Sequence, residues 1–260
     1  MTEKASAKKE RLDVVLVTRG LAASRERARG LILAGRVLVN EQKVDKPGVA
    51  IAADAALRLL GQDLPYVSRG GLKLEAALDY WNISVTGRAG LDVGASTGGF
   101  TDCLLQRGAS HVTAVDTGFG QIAMKLRNDS RVRLMERANA RHLEPNALVQ
   151  PDGPRLTLLV MDVSFISATL LLGPVLAAAP DLIEAVVLVK PQFEAGREHV
   201  GKGGIVRDPA AHQQAIERVA EAIRASGWLV EGTLPSPIKG AEGNQEFLLY
   251  ARRPDRENTA

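Results

Sequence analysis

Apolar residues fall into short, nearly continuous runs at 89–93, 112–115, 156–161 and 185–189, and between them they recur at helical spacing. Runs of that length predict strands covered by helices on both faces, which is the signature of a mostly parallel α/β sheet. The full pattern predicts strands at 89–93, 112–115, 132–135, 156–161, 185–189, 228–234 and 245–252, with helices over 71–80, 97–107, 120–127, 166–179 and 209–226. The last two strands are separated by loop alone and are expected to form an antiparallel edge pair. Ahead of this series, residues 11–60 read as a compact α+β unit. Leu12, Val15 and Leu16, then Ala28, Leu31 and Ile32, repeat at helical spacing around Gly20. Ser24 opens the second helix, with Arg27 instead of an acid at the capping-box position, and Gly35 closes it. A strand at 37–39, a turn at 40–42 and a strand near 57–60 follow. The Gln62-Asp63-Leu64-Pro65 stretch predicts a connection over 62–67, dividing the chain into domains at 1–61 and 68–260.

Composition narrows the picture. Aromatic residues are only 4% of the 260 residues while 45% are hydrophobic, so the core rests on aliphatic side chains. One cysteine, Cys103, rules out an internal disulfide and a cysteine-rich metal site, and the four scattered histidines predict no metal. The polar first ten residues do not read as a secretory signal, which predicts a cytoplasmic protein. The stretch 163–180 approaches membrane length, but its serines, Thr169 and Gly173-Pro174 make a buried helix the expectation. Net charge is +3, unevenly spread: residues 1–46 carry a local +5 and the remainder −2. A basic small domain on a near-neutral large one predicts a grip on a polyanion.

The candidate chemistry lies at strand ends, where open α/β sheets bind ligands. Leu91-Asp-Val-Gly-Ala-Ser-Thr-Gly-Gly-Phe100 ends a strand in a small-residue turn, and the next strand stops at Asp116. The pattern Gly94-x-Ser96-x-x-Gly99, with Gly98 beside it, departs from the dinucleotide fingerprint. Asp92, two residues before the first glycine, suits the cationic amino-acid end of S-adenosylmethionine better than a pyrophosphate. A nicotinamide-dependent oxidoreductase is the enzyme alternative, and an ordinary βα turn with two surface aspartates is the plain one. Asp162 and Lys190 close two strands, Glu246 opens the last, and Lys73 lies in the first turn of a helix. Singly, each has a commonplace reading, such as Asp162 capping the next helix. Together in one pocket they suit methylation of a ribose hydroxyl. In that reading Lys190 is general base, Asp162 and Glu246 orient it, and Lys73 is the neighbouring cation.

Five segments carry a resemblance: Tyr66-Val-Ser-Arg-Gly-Gly-Leu-Lys73, Leu91–Phe100, Met161-Asp-Val-Ser-Phe-Ile-Ser167, Leu188-Val-Lys-Pro-Gln-Phe-Glu194 and Gly243-Asn-Gln-Glu246. In this order they resemble the TlyA, or hemolysin A, ribosomal RNA methyltransferases within the FtsJ-like group. The resemblance implies an S-four-type RNA-binding domain and a Rossmann-like S-adenosylmethionine domain acting on cytidine 2′-hydroxyls of ribosomal RNA in ribosomal subunits. It carries a Lys-Asp-Lys-Glu tetrad onto Lys73, Asp162, Lys190 and Glu246. It assigns cofactor contacts to Asp92, Gly94, Ser96, Gly98, Gly99, Asp116 and Asn139, and RNA contacts to Arg11, Arg25, Lys46, Arg69, Arg137 and Arg141. Ala23 stands where some relatives have an arginine. The other function classes are a non-catalytic ribosome-binding factor and a membrane-active hemolysin; the intact glycines and tetrad argue against the first, and the lack of a convincing spanning segment against the second.

Overall fold

A computed structural model describes residues 9–22, 24–60, 64–240 and 242–254. The chain divides into two units, residues 1–63 and 64–260. In the smaller, β1 (Lys9–Arg11), α1 (Leu12–Thr18), α2 (Arg25–Leu33), β2 (Val37–Val39), β3 (Gln42–Lys43), β4 (Ala50–Ala52) and β5 (Leu57–Leu59) enclose a core built on Leu12, Leu16, Leu31, Ile32 and Val37. Ser24 caps α2 by accepting the Arg27 N–H at 3.1 Å, with no acid needed at that position. Asn40 and Glu41, both at positive φ, form the two-residue turn joining β2 to β3. β1 and β4 pair antiparallel, and their three-residue length is too short for an alternation pattern to reveal them.

The larger unit contains α3 (Gly70–Tyr80), β6 (Ala89–Val93), α4 (Gly99–Gln106), β7 (His111–Val115), α5 (Met124–Arg127), β8 (Val132–Met135), β9 (Leu156–Met161), α6 (Thr169–Ala178), β10 (Glu184–Val189), α7 (Pro191–Glu194), α8 (Pro209–Ala225), β11 (Leu229–Pro235) and β12 (Phe247–Arg252). One seven-stranded sheet runs in the order β11-β12-β10-β9-β6-β7-β8. β12 is antiparallel to both neighbours and the other pairs are parallel, giving the α/β, Rossmann-like class with an antiparallel edge pair. Alternate residues of β9 serve opposite faces. Leu159 and Met161 pack with α6 and α8, while Leu158 and Val160 pack with α3 and α4.

Three helices start later than their apolar spacing predicts, and the backbone says why. Ser96 and Gly98 take left-handed φ values of 49° and 94°, so α4 begins at Gly99 instead of residue 97. Gly120 (φ 71°) and Phe165 (φ 67°) delay α5 and α6 in the same way. Conversely, α6 runs through Pro174, whose missing N–H deprives only the carbonyl of Leu170, a residue 47% exposed to water. Tyr66 and Val67, within the predicted connection, pack in the larger unit: Tyr66 is buried and the Val67 N–H donates to Asp102 at 2.8 Å.

Candidate active site

The strand order reverses between β6 and β9, and the site forms outside their carboxyl ends. Val93 pairs with Met161, and the Asp162 N–H continues the ladder to the Val93 carbonyl at 3.0 Å. The chain must then turn away from both strands within van der Waals contact of itself. Gly94 permits this at φ 85°: a β-carbon there would lie 2.3 Å from the Asp162 carbonyl oxygen. Gly98 and Gly99 answer packing demands. Their β-carbons would fall 2.3 Å from Leu126 and from Ser68 Oγ respectively.

Two cavities open here. The first, about 470 Å³, is lined by Lys73, Asp162, Lys190 and Glu246 together, with Ser68 and Arg69. The second, about 440 Å³, is lined by Asp116, Asn139 and the ends of β6 and β7. Gly94, Ser96, Asp162, Ser164 and Phe165 line both. The combined space suits an elongated ligand whose middle passes over Gly94 and Asp162.

Of the four ionisable groups, Asp162 meets Lys190 as expected and Glu246 does not. Lys190 Nζ lies 2.6 Å from Asp162 Oδ1 and donates a hydrogen bond to Ser164 Oγ at 2.8 Å. Glu246, expected to orient Lys190, instead accepts from Lys73 Nζ. Glu246 and Lys190 do share one end of adjacent strands, since Phe247 opposes Val189. α3 packs near β12, however, and brings Lys73 to the Glu246 carboxylate. Both lysines are buried, at 8% exposure, and Glu246 is at 2%, so each charge depends on its partner.

Asp92 is fully buried. Its Oδ2 accepts from Thr101 Oγ1 at 2.6 Å and its Oδ1 has no partner. Burial pushes its carboxyl up to about 7, opposed by the Thr101 hydrogen bond and reinforced by the charges of Asp162 and Asp116. Asp116 accepts backbone N–H groups from Ser96 (2.7 Å) and Gly118 (2.6 Å), which ties the turn after β6 to the one after β7. Asn139 Oδ1 accepts the Arg141 N–H at 3.0 Å. Among the described residues, the buried side-chain acceptors without a hydrogen bond are Asp92 Oδ1, Gln192 Oε1 and Asp162 Oδ1, the last of which is met by Lys190 Nζ as an ion pair, and all belong to this region. Buried acceptors seek donors. A ligand carrying a cationic amine and sugar hydroxyls fits that demand.

Of the basic residues singled out for RNA, Arg69 lines the first cavity, and Arg137 and Arg141 are exposed on the larger unit. The Arg137 guanidinium stacks 4.3 Å from the centre of the Phe119 ring. Arg11, Arg25 and Lys46 are exposed on the smaller unit, and Ala23 lies outside the described residues. Residue-type reasoning missed Ser164, Phe165 and Glu194. Glu194, buried in α7, accepts the Ala168 N–H at 2.7 Å and the Ser167 hydroxyl at 2.5 Å, and so joins the segments that follow Asp162 and Lys190. Phe165 is 93% exposed at positive φ, with its ring 5.4 Å from that of Phe193. A bulky aromatic three residues after the strand-end aspartate, directly following a serine, was the available signal. Among the described residues no cluster of three or more His, Cys, Asp or Glu could hold a metal, and no helix is long and apolar enough to cross a membrane.

Comparison with known proteins accords with this geometry. The FtsJ-like methyltransferase family model matches residues 66–253, and the S4 domain model matches residues 10–55. A Mycobacterium tuberculosis protein, "16S/23S rRNA (cytidine-2'-O)-methyltransferase TlyA", is 45% identical, covering 95% of this chain and 91% of that protein. The chain belongs to the TlyA family of FtsJ-like methyltransferases. "Hemolysin A" of Brachyspira hyodysenteriae is 41% identical over 92% of this chain and 98% of its own length. Among solved structures, a "Putative hemolysin from Streptococcus thermophilus" superposes with a TM-score of 0.70 at 46% identity, covering 96% of this chain and 90% of that one.

Two outcomes follow for the TlyA-family site. Gly94→Ala forces a β-carbon against the Asp162 carbonyl and strains the left-handed backbone, so it should lower the melting temperature by several degrees in a thermal melt. For Asp92 the folded carboxyl titrates near 7 and the unfolded one near 3.8, so burial of its charge lowers stability progressively as pH rises between those values. Asp92→Asn should therefore gain in melting temperature relative to the parent as pH goes from 5 to 8, with about 3 kcal/mol as the ceiling over that range. A difference that stays flat across that range would contradict the burial argument.

Proposed function

We propose that this protein is an S-adenosylmethionine-dependent methyltransferase acting on the 2′-hydroxyl of cytidine in ribosomal RNA, with Lys190 as general base. The observation that carries the reading is the gathering of Lys73, Asp162, Lys190 and Glu246 around one cavity at the switch point, continuous with a second cavity beside Asp116. The names of the curated relatives supply the substrate class. Asp92, Gly94, Ser96, Gly98, Gly99, Asp116 and Asn139 would hold S-adenosylmethionine, which when bound supplies a sulfonium-activated methyl group.

A ribose hydroxyl is a very weak acid, so its proton has to leave as the oxygen becomes a nucleophile. As the neutral amine, Lys190 directs its two N–H groups at Asp162 and Ser164 and takes that proton on its lone pair. Lys73, held by Glu246, keeps a positive charge on the cavity wall and steadies the developing alkoxide. A nucleotide inside folded RNA reaches this cavity by leaving its stack. Phe165 at the rim is a ready platform for the displaced base. Arg69, Arg137 and Arg141 on this unit and Arg11, Arg25 and Lys46 on the S4 unit contact phosphates, which position the substrate without reading sequence.

Incubation with radiolabelled S-adenosylmethionine and isolated ribosomal subunits, followed by nucleoside mass spectrometry, should yield 2′-O-methylcytidine. Label in a base, in another nucleoside, or in no RNA would reject the proposal. Lys190→Ala should lose about 10²–10⁴-fold in turnover while calorimetry still detects cofactor binding. Phe165→Ala should lower kcat/KM by about 5–150-fold, the worth of one stacked base, without changing cofactor affinity.

A further inference from the structure

We propose that Asp13 is a positioning residue for RNA binding, its buried carboxylate holding Arg11 and Arg25 side by side as a preformed clamp for backbone phosphates. The inference rests on the RNA-binding reading of the smaller unit. Asp13, in the first turn of α1, is 0% exposed, and complete burial is unusual for a carboxylate in so small a unit. Arg11 donates to it through two atoms, Nε to Oδ1 at 3.0 Å and Nη2 to Oδ2 at 2.9 Å. Arg25, the first residue of α2, donates Nη2 to Oδ2 at 3.2 Å. The two arginine side chains nevertheless remain 52% and 60% exposed, so the carboxylate is covered by guanidinium groups that themselves face water.

The same residue reaches the loop that carries Lys46. The Asp13 N–H donates to the Pro47 carbonyl at 3.2 Å, and the Arg11 guanidinium packs over Gly48, 3.4 Å from where a β-carbon would stand. Two arginines distant in sequence are thus gathered on one acid, whose backbone is tied to the loop carrying Lys46. Unrestrained arginines repel each other and carry large rotamer freedom, which a phosphate contact would have to remove. Hydrogen bonds from Arg11 hold the Asp13 carboxyl down to about 2, so the arrangement keeps its charge throughout the physiological range.

Two opposing effects make the idea testable by sign. If Asp13 acts only as a negative charge near a polyanion, Asp13→Asn raises the local charge by one and tightens RNA binding. If it acts by positioning, the same variant loosens binding despite the added charge. Affinity of the full-length protein for deproteinised ribosomal RNA, measured by filter binding over a salt series, should fall about tenfold in Asp13→Asn, as two arginines regain their freedom. In an Arg11→Ala/Arg25→Ala background, Asp13→Asn should have no weakening effect, which a merely structural role would not produce. Thermal melting and calorimetry with cofactor report on folding separately. If the double arginine variant binds as the parent does, the RNA-surface reading fails and the clamp with it. If that variant binds weakly while Asp13→Asn, still folded, binds equally or more tightly, the surface stands and the positioning role of Asp13 is overturned. Should Asp13→Asn unfold, Asp13→Glu provides the second arm: a longer carboxylate that keeps the fold and net charge but displaces the pair should still weaken binding, and parent-like affinity would overturn the proposal.

Discussion

The loops leaving β6 and β9 touch, and the contact leaves no room for a side chain at residue 94. Much of the site depends on this approach. It brings Asp162 over the end of β6 and lets Asp162, Ser164 and Phe165, in the segment after β9, line both cavities. Parallel strands that diverge at a switch point leave a crevice by necessity, because consecutive connections cross to opposite faces of the sheet. Here the crevice is narrowed by backbone contact and locked from the other side by Glu194, which fastens the end of the Asp162 segment to the turn after Lys190.

Charge completes what the backbone begins. Buried ion pairs seldom add stability, since desolvation offsets their attraction. Two of them in one cavity, with two unpartnered acceptors nearby, describe a site arranged for a ligand and not for the fold's own benefit. The exchange of partners is informative. With Glu246 engaged by Lys73, Lys190 is left with Asp162 and a serine hydroxyl, a lighter set of contacts facing the shared space. The smaller unit uses the opposite geometry, one buried acid beneath two exposed arginines, so that cations face outward. In both, a carboxylate fixes the direction of basic side chains, outward to water in the smaller unit and toward a shared cavity in the larger.

The linear chain by itself determined a good deal. Strand and helix order followed from apolar runs, because a residue buried on both faces of a parallel sheet has to be apolar whatever its neighbours are. Asp162, Lys190 and Glu246 stood out because a charge ending such a run marks the rim of the sheet. Gly94 was visible, though its reason was not: the obstacle to a side chain there is a carbonyl 68 positions away. Tertiary structure alone decided which carboxylate met which lysine, since α3, β10 and β12 converge from distant segments. It alone exposed Asp13, whose place beside Arg11 in sequence reads as an ordinary helix start, and Phe165, whose left-handed backbone turns an aromatic outward to water. Periodicity reports which face of an element is buried; pairing between charged side chains depends on distances in space that no periodicity encodes.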